Sequence, residues 1–264
     1  GDYELRYHDL SPYELDIYNI PKRIDELCVD IPRVSCFTEE FKYPVIFQKS
    51  INSTWMSVSP NEVFTMEKPI KNAKGKVLTL GCGMGYFAYM ASIKEDVESI
   101  TIIELEQSVI DLFEKCILPQ FENKDKITIV KADAVEYLRN IEDGVYDYCF
   151  ADIWIGIEDI APYFAVKEIG RNLRKTKIEY WIEDSFAILL SSSVWIEIMK
   201  AFSEANKMEI PPLDESKLTS SDKRKENYIH RLLSDVEISK PEHIDYYMKP
   251  QNIITLIDRT DIIF

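Results

Sequence analysis

From Lys76 to Asp184 the chain alternates short β-rich runs with amphipathic stretches of helix length. That alternation is the signature of βαβ units around a parallel sheet. The runs Val77–Leu80, Ile100–Glu104, Ile127–Val130, Tyr148–Ala151 and Glu179–Ile182 read as strands. Helical stretches lie between them around Tyr86–Lys94, Gln107–Lys115, Ala134–Asn140 and Ala161–Leu173. Five such strands joined by right-handed crossovers make a doubly wound α/β sheet with helices on both faces.

The flanks read differently. Residues 1–74 mix a polar helix-like stretch with the extended runs Tyr43-Pro-Val-Ile-Phe-Gln and Thr54-Trp-Met-Ser-Val, an α+β extension suited to covering a substrate. Ser59-Pro60-Asn61-Glu62 marks a helix start, with Pro60 at the first helical position. After the sheet region, residues 75–206, the segment 207–264 opens near Pro211-Pro212 and carries helix-like runs at Asn227–Asp235, Glu242–Met248 and Ile253–Ile257. It reads as a helical appendage, with Lys223-Arg224-Lys225 on a solvated face.

The chemistry is expected at the carboxyl ends of the strands. Gly81-Cys-Gly83-Met-Gly85 follows the first strand and opens a helix, the setting in which glycine lets backbone approach a nucleoside ligand. A dinucleotide fingerprint needs its third glycine one position later, where Tyr86 stands, so pyrophosphate binding is the weaker reading. Glu104 ends the second strand 19 residues past Gly85, where an open sheet places an acid beside a ribose. Asp133 follows the third strand and can accept from an adenine amino group, cap the helix that begins at Ala134, or do both. Asp152 follows the fourth strand, where a reacting group belongs.

Composition narrows the partners. Lys plus Arg total 31 against 46 for Asp plus Glu, a net charge of -15 that disfavours an extended nucleic-acid footprint and suits a small neutral or cationic acceptor. Cys28, Cys36, Cys82, Cys116 and Cys149 are scattered, without a C-x-x-C pair, which points to neither disulfides nor zinc and fits a reducing cytoplasm. No unbroken apolar run approaches the ~18 residues of a membrane span. His8, His230 and His243 lie outside the sheet region, and Ser191-Ser192-Ser193 lacks the glycines of a nucleophile elbow.

In sequence, the run Val77–Gly85, the acid Glu104, Asp133 and the strand Tyr146–Asp152 resemble the motifs of class I S-adenosylmethionine-dependent methyltransferases. The resemblance implies a Rossmann-like fold, S-adenosylmethionine as cofactor and methyl transfer as the activity. It also implies that the glycine loop contacts the methionine moiety, Glu104 the ribose, Asp133 the adenine and Asp152 the reacting end, with Leu105 and Ala134 completing the cofactor set. That family commonly has an acid two residues before the first glycine, where this chain has Thr79. Spermidine synthases also lack that acid, and the stretch from Ile102-Ile-Glu-Leu-Glu-Gln-Ser-Val-Ile to Leu118-Pro119 is similar to theirs. They carry an acid inside the glycine loop, where Met84 stands here, and Asp-Ser-Ser-Asp-Pro after the fourth strand, where Ile153, Trp154, Ile155 and Gly156 follow Asp152.

The reading is therefore a transferase of the spermidine-synthase-like branch that methylates a small molecule, with Asp152 as base. The rivals are aminopropyl transfer to a polyamine and non-catalytic binding of the nucleoside. Trp154, just past a strand end, either packs the core or stacks on substrate or adenine.

Overall fold

A computed structural model describes residues 2–18, 22–24, 29–31, 33–156, 159–209 and 218–259; Cys28 and Pro211-Pro212 lie outside them. The chain forms two compact units, Gly1–Ile155 with Asn172–Ile182, and Gly156–Arg171 with Glu183–Phe264.

In the first unit the described residues before Pro60 form strands β1 (Tyr3–Leu10), β2 (Leu15–Ile17), β3 (Lys22–Ile24), β4 (Val29–Ile31), β5 (Val34–Cys36), β6 (Phe41–Gln48) and β7 (Ser53–Ser57). β1, β6 and β7 make an antiparallel sheet in that order, and β2 with β5 and β3 with β4 make two small ladders. The polar helix-like stretch expected in this region is thus corrected. Tyr3, Leu5 and Tyr7 alternate with Glu4, Arg6 and His8, a period of two that fits a strand.

Helix α1 (Pro60–Asn72) begins where expected: the Ser59 hydroxyl accepts from the Glu62 backbone N–H at 3.3 Å, and proline occupies the first turn. Its far end is closed from outside. The Lys94 ammonium donates to the carbonyls of Ile70 (3.0 Å), Lys71 (2.9 Å) and Ala73, placing a cation at the negative end of the helix dipole.

The sheet is built from β8 (Gly75–Leu80), α2 (Tyr86–Ser92), β9 (Val97–Glu104), α3 (Gln107–Leu112), β10 (Ile127–Lys131), α4 (Ala134–Asn140) and β11 (Tyr148–Ala151). α5 (Ile160–Gly170), of the second unit, and β12 (Lys177–Tyr180) follow in the chain. All five strands run parallel in the order β10-β9-β8-β11-β12. The order reverses at β8, so the connections after β8 and β11 leave in opposite directions and open a crevice at the carboxyl edge. Leu78, Leu80, Ile100, Ile102, Ile103, Tyr148 and Phe150 are fully buried along the middle strands. The fold is the doubly wound, Rossmann-like α/β class.

Two local differences have physical reasons. β12 lies two residues before the expected run because Ile182 has φ 50°, which no strand residue adopts. α3 gives way at Phe113 to a π-helical turn, Phe113–Ile117, and then to the 3-10 turn Leu118–Gln120 that Pro119 favours.

The second unit is helical: α5, α6 (Glu183–Asn206), α7 (Ser220–Leu233), α8 (Pro241–Tyr247) and α9 (Pro250–Ile257). α6 is long and apolar enough to cross a membrane by length and composition alone. Its buried face, with Phe186, Leu190, Val194 and Ile198 at helical spacing, belongs to a helix that packs on α7 and α9. That packing also groups α5 and α6 with the C-terminal helices and residues 1–74 with the sheet, a division different from the boundaries at 75 and 207 that composition suggests. Within this unit the buried Lys167 ammonium pairs with Glu183 (2.5 Å) and Asp258 (2.7 Å).

Candidate active site

Backbone hydrogen bonds continue each ladder past its strand and align the candidate residues. Gly81 N–H donates to Ile103 (2.9 Å), Ala132 N–H to Glu104 (3.1 Å), and Asp152 N–H to Leu80 (2.9 Å). Gly81, Glu104, Asp133 and Asp152 consequently stand in a row along the carboxyl edge of neighbouring strands.

The glycine loop is shaped by backbone that only glycine adopts without strain, with φ of 94° at Gly81, 53° at Gly83 and 77° at Gly85. The three positions differ in what surrounds them. A Cβ at Gly81 would strike the backbone carbonyl of Asp152, and one at Gly85 the ring of Phe113. A Cβ at Gly83 would meet no protein atom within 4 Å. Gly81 and Gly85 are therefore closely packed on the side where a Cβ would stand, while that side of Gly83 is open.

Glu104 is buried, and its carboxylate is already at work. Oε2 accepts from the Cys82 backbone N–H at 3.0 Å and Oε1 from that of Glu106 at 2.8 Å, so the acid suspends the glycine loop from the end of β9. Each oxygen retains acceptor capacity beyond its one backbone donor. Leu105 is exposed beside it, as an apolar platform at the sheet edge would be. Asp133 caps α4, its Oδ1 accepting from the Glu136 N–H at 2.9 Å, and Ala134 is buried in the first turn. We expect Glu104→Gln to lower the stability of the unit by about 1–3 kcal/mol, because its amide must turn an NH2 toward one of the two backbone donors. Urea unfolding reads this loss; a wild-type midpoint would refute the suspending role.

Asp152 has the strongest electrostatic perturbation at the edge. Burial, reinforced by the Glu62 carboxylate, pushes its carboxyl up to about 8. Glu62 lies in the first turn of α1, where its Oε1 accepts from Ser57 Oγ at 3.0 Å; burial and the charge of Asp16 push it up to about 7. Burial raises Asp16 also, against a hydrogen bond from the Asn61 backbone N–H. Asp16 and Glu62 are functional candidates that sequence reading missed. The Ser59-to-Glu62 spacing signalled a helix start, and nothing in it signalled an approach to Asp152.

The remaining candidates find ordinary roles. Burial, with the Glu104 carboxylate beside it, raises the Cys82 thiol, and burial raises Cys149, so both stay protonated and unreactive. Trp154 and Trp181 are buried, Trp181 Nε1 donating to Thr65 Oγ1 at 2.9 Å. His8 tilts against Tyr43, His230 pairs with Glu197 at 2.8 Å, and His243 Nδ1 accepts from the Ser239 N–H at 3.2 Å. At the start of β1, burial and the carboxylates of Glu106, Asp2 and Glu104 raise the Tyr3 phenol.

The spermine/spermidine synthase domain model matches residues 63–205, more than half of the chain. A search of curated proteins returned no match. Among solved structures, the spermidine synthase of Thermotoga maritima is 14% identical, with 56% of this chain and 57% of that one covered and a TM-score of 0.39. A spermidine synthase in complex with the transition-state analogue AdoDATO is 15% identical, covering 53% and 54%, with a TM-score of 0.39. Precorrin 8w decarboxylase of Methanobacterium thermoautotrophicum is 19% identical, covering 46% and 62%, with a TM-score of 0.36. The matches thus span little more than half of the length of these proteins.

Proposed function

Because the chain belongs to the spermine/spermidine synthase domain family, we propose that it is a transferase of S-adenosylmethionine, moving the methyl group to a small cationic or proton-bearing acceptor. The observation that carries this reading is the glycine loop hung from the Glu104 carboxylate, with Asp152 packed against Gly81 on the same edge. The residues fit such a donor. Gly83 is open to it, the spare acceptor capacity of Glu104 suits ribose hydroxyls, and Leu105, Asp133 and Ala134 supply an apolar surface and an acceptor for adenine.

When bound, the sulfonium supplies a methyl group open to in-line attack. The chain's own contribution is placement: the loop and Glu104 fix the donor so that its reacting end lies toward Asp152, and proximity does the rest. Asp152, once ionised, takes the proton that a protonated acceptor must lose. Met84 in the loop, where spermidine synthases carry an acid, favours the methyl donor over its decarboxylated counterpart.

Aminopropyl transfer is the second reading, favoured by one observation. Asp16, Glu62 and Asp152 are all raised by burial, and Glu62 further by Asp16 and Asp152 by Glu62, an excess of acid that an amine cation would relieve. A test offers methyl-labelled S-adenosylmethionine and, separately, the decarboxylated donor to the protein with amines, polyamines, nucleosides and RNA. Label on an acceptor from the first donor is the expected result. Aminopropylation from the second would replace it, tight donor binding without turnover would leave a nucleoside-binding protein, and a co-purifying nicotinamide dinucleotide would overturn the donor assignment.

A further inference from the structure

The ladder of β2 and β5 is polar on the side it buries and apolar on the side it shows. Asp16 and Ser35 are directly opposed across it and half-buried. Arg33 continues the same face two residues before Ser35, also half-buried, its carbonyl accepting from the Tyr18 N–H at 2.8 Å. On the other face Leu15, Ile17 and Val34 are 60%, 65% and 49% exposed. Burial favours the reverse arrangement, so the inversion runs against folding and points to a use for the inner face.

Three atoms of that face are buried without a hydrogen-bond partner among the described residues: Asp16 Oδ2, Arg33 Nε and Ser35 Oγ. Buried polar groups are nearly always paired, because an unpaired one loses its solvation and gains nothing. The acid and the cation do not serve one another, since both atoms lack a partner. They stand one strand repeat apart, roughly 7 Å. Asp16 calls for a donor, Arg33 for an acceptor, and the Ser35 hydroxyl can meet either. Helix α1 carries this face toward the reacting end. The Arg33 guanidinium lies over the Phe64 ring, 5.0 Å from its centre, and Asp16 meets the Asn61 backbone N–H. Glu62, one residue further, feels the charge of Asp16 and lends its own to Asp152.

We propose that the inner face of the β2–β5 ladder holds the acceptor and that the acceptor is a zwitterion, with its amine toward Asp16 and Glu62 and its carboxylate on the Nε edge of Arg33. The inference rests on the reading of Asp152 as the reacting end, and it narrows the acceptor to amino acids and compounds built like them. A guanidinium stacked on an aromatic ring is set in advance to take a carboxylate through two parallel N–H groups. The same cation repels the second ammonium of a diamine. The face therefore draws in one positive charge and selects against two.

Saturation-transfer NMR of the full chain tests this with ligands that differ only at their ends. 4-Aminobutanoate and 6-aminohexanoate are titrated beside the diamine and the monocarboxylate of the same length. At least one of the amino acids should bind about tenfold or more tightly than both of its counterparts. Arg33→Gln should erase the preference over the diamine, and Arg33→Lys, which keeps a cation, should retain part of it. Asp16→Asn should instead erase the preference over the monocarboxylate. No binding of either amino acid, diamines bound as tightly as the amino acids, or a wild-type preference in Arg33→Gln would each overturn the proposal. If Arg33→Gln loses every ligand, Arg33→Lys decides, and a lysine variant without preference overturns it as well. Calorimetry with S-adenosylmethionine separates this inference from the one beneath it: donor binding without an amino-acid preference removes the zwitterion alone, whereas the preference without donor binding removes the donor reading.

Discussion

Gly81→Ala is expected to destabilise the first unit by about 2–5 kcal/mol, combining the cost of a left-handed non-glycine residue with that of overpacking. The methyl group would strike the Asp152 carbonyl, whose own residue is tied through its N–H to Leu80, so neither partner yields without disturbing the β8–β11 ladder. On a typical domain stability such a loss is a large fraction of the whole. Gly83→Ala separates folding from binding. It meets no protein atom and incurs only the backbone term, about 1–2 kcal/mol, yet it places a methyl group on the surface assigned to the donor. Denaturant unfolding and calorimetry with S-adenosylmethionine should rank the pair oppositely: Gly81→Ala the less stable, Gly83→Ala the folded protein that has lost donor affinity. Wild-type affinity in Gly83→Ala would remove the donor from this loop.

Asp152→Asn should keep donor affinity within a few-fold and reduce transfer by ~10² or more, the scale of general base catalysis. The pH dependence identifies the cause. With its carboxyl pushed up to about 8, Asp152 is protonated in the free protein at neutral pH, so kcat/KM should climb with pH and level off above 8. The asparagine variant should lack that inflection. Stability should run the opposite way. Asp152 and Glu62 hold their protons to about 8 and about 7 in the folded chain, against ordinary values of 3.8 and 4.5. The folded state therefore binds more protons in between, and the stability this contributes, full below the ordinary values, is lost as pH rises through about 7 and 8. Turnover by Asp152→Asn at the wild-type rate would reduce the residue to a strand-end acid.

Much of the sheet was legible because its central strands are largely buried and read as mainly apolar runs, as in Ile102–Ile103 and Tyr148–Ala151. The positions of Gly81, Glu104, Asp133 and Asp152 follow from the same pattern, since each is the residue at or just past a strand end. What the pattern could not convey is the occupation of those residues by the fold itself. Glu104 reads as a ribose acid, and its bonds to Cys82 and Glu106 appear only when loop and strand are brought together. Glu62 and Asp16 lie 90 and 136 residues before Asp152, and their mutual repulsion is a tertiary property with no local trace. β1 was legible in principle. Its two-residue alternation is plain once the charged residues between Tyr3, Leu5 and Tyr7 are read as one face of a strand.

Helix α1 follows the N-terminal strands in the chain, yet it is fastened to the parallel sheet. Trp181 Nε1 grips Thr65, Asn72 Nδ2 donates to Glu179 at 2.8 Å, and Lys94 closes the last turn. Glu62 therefore rides on the same frame that carries Asp152. One tie runs the other way: Ser57 of β7 donates to Glu62 and Asp16 of β2 repels it, so a displacement of the outer strands reaches Asp152 through Glu62 without crossing the parallel sheet.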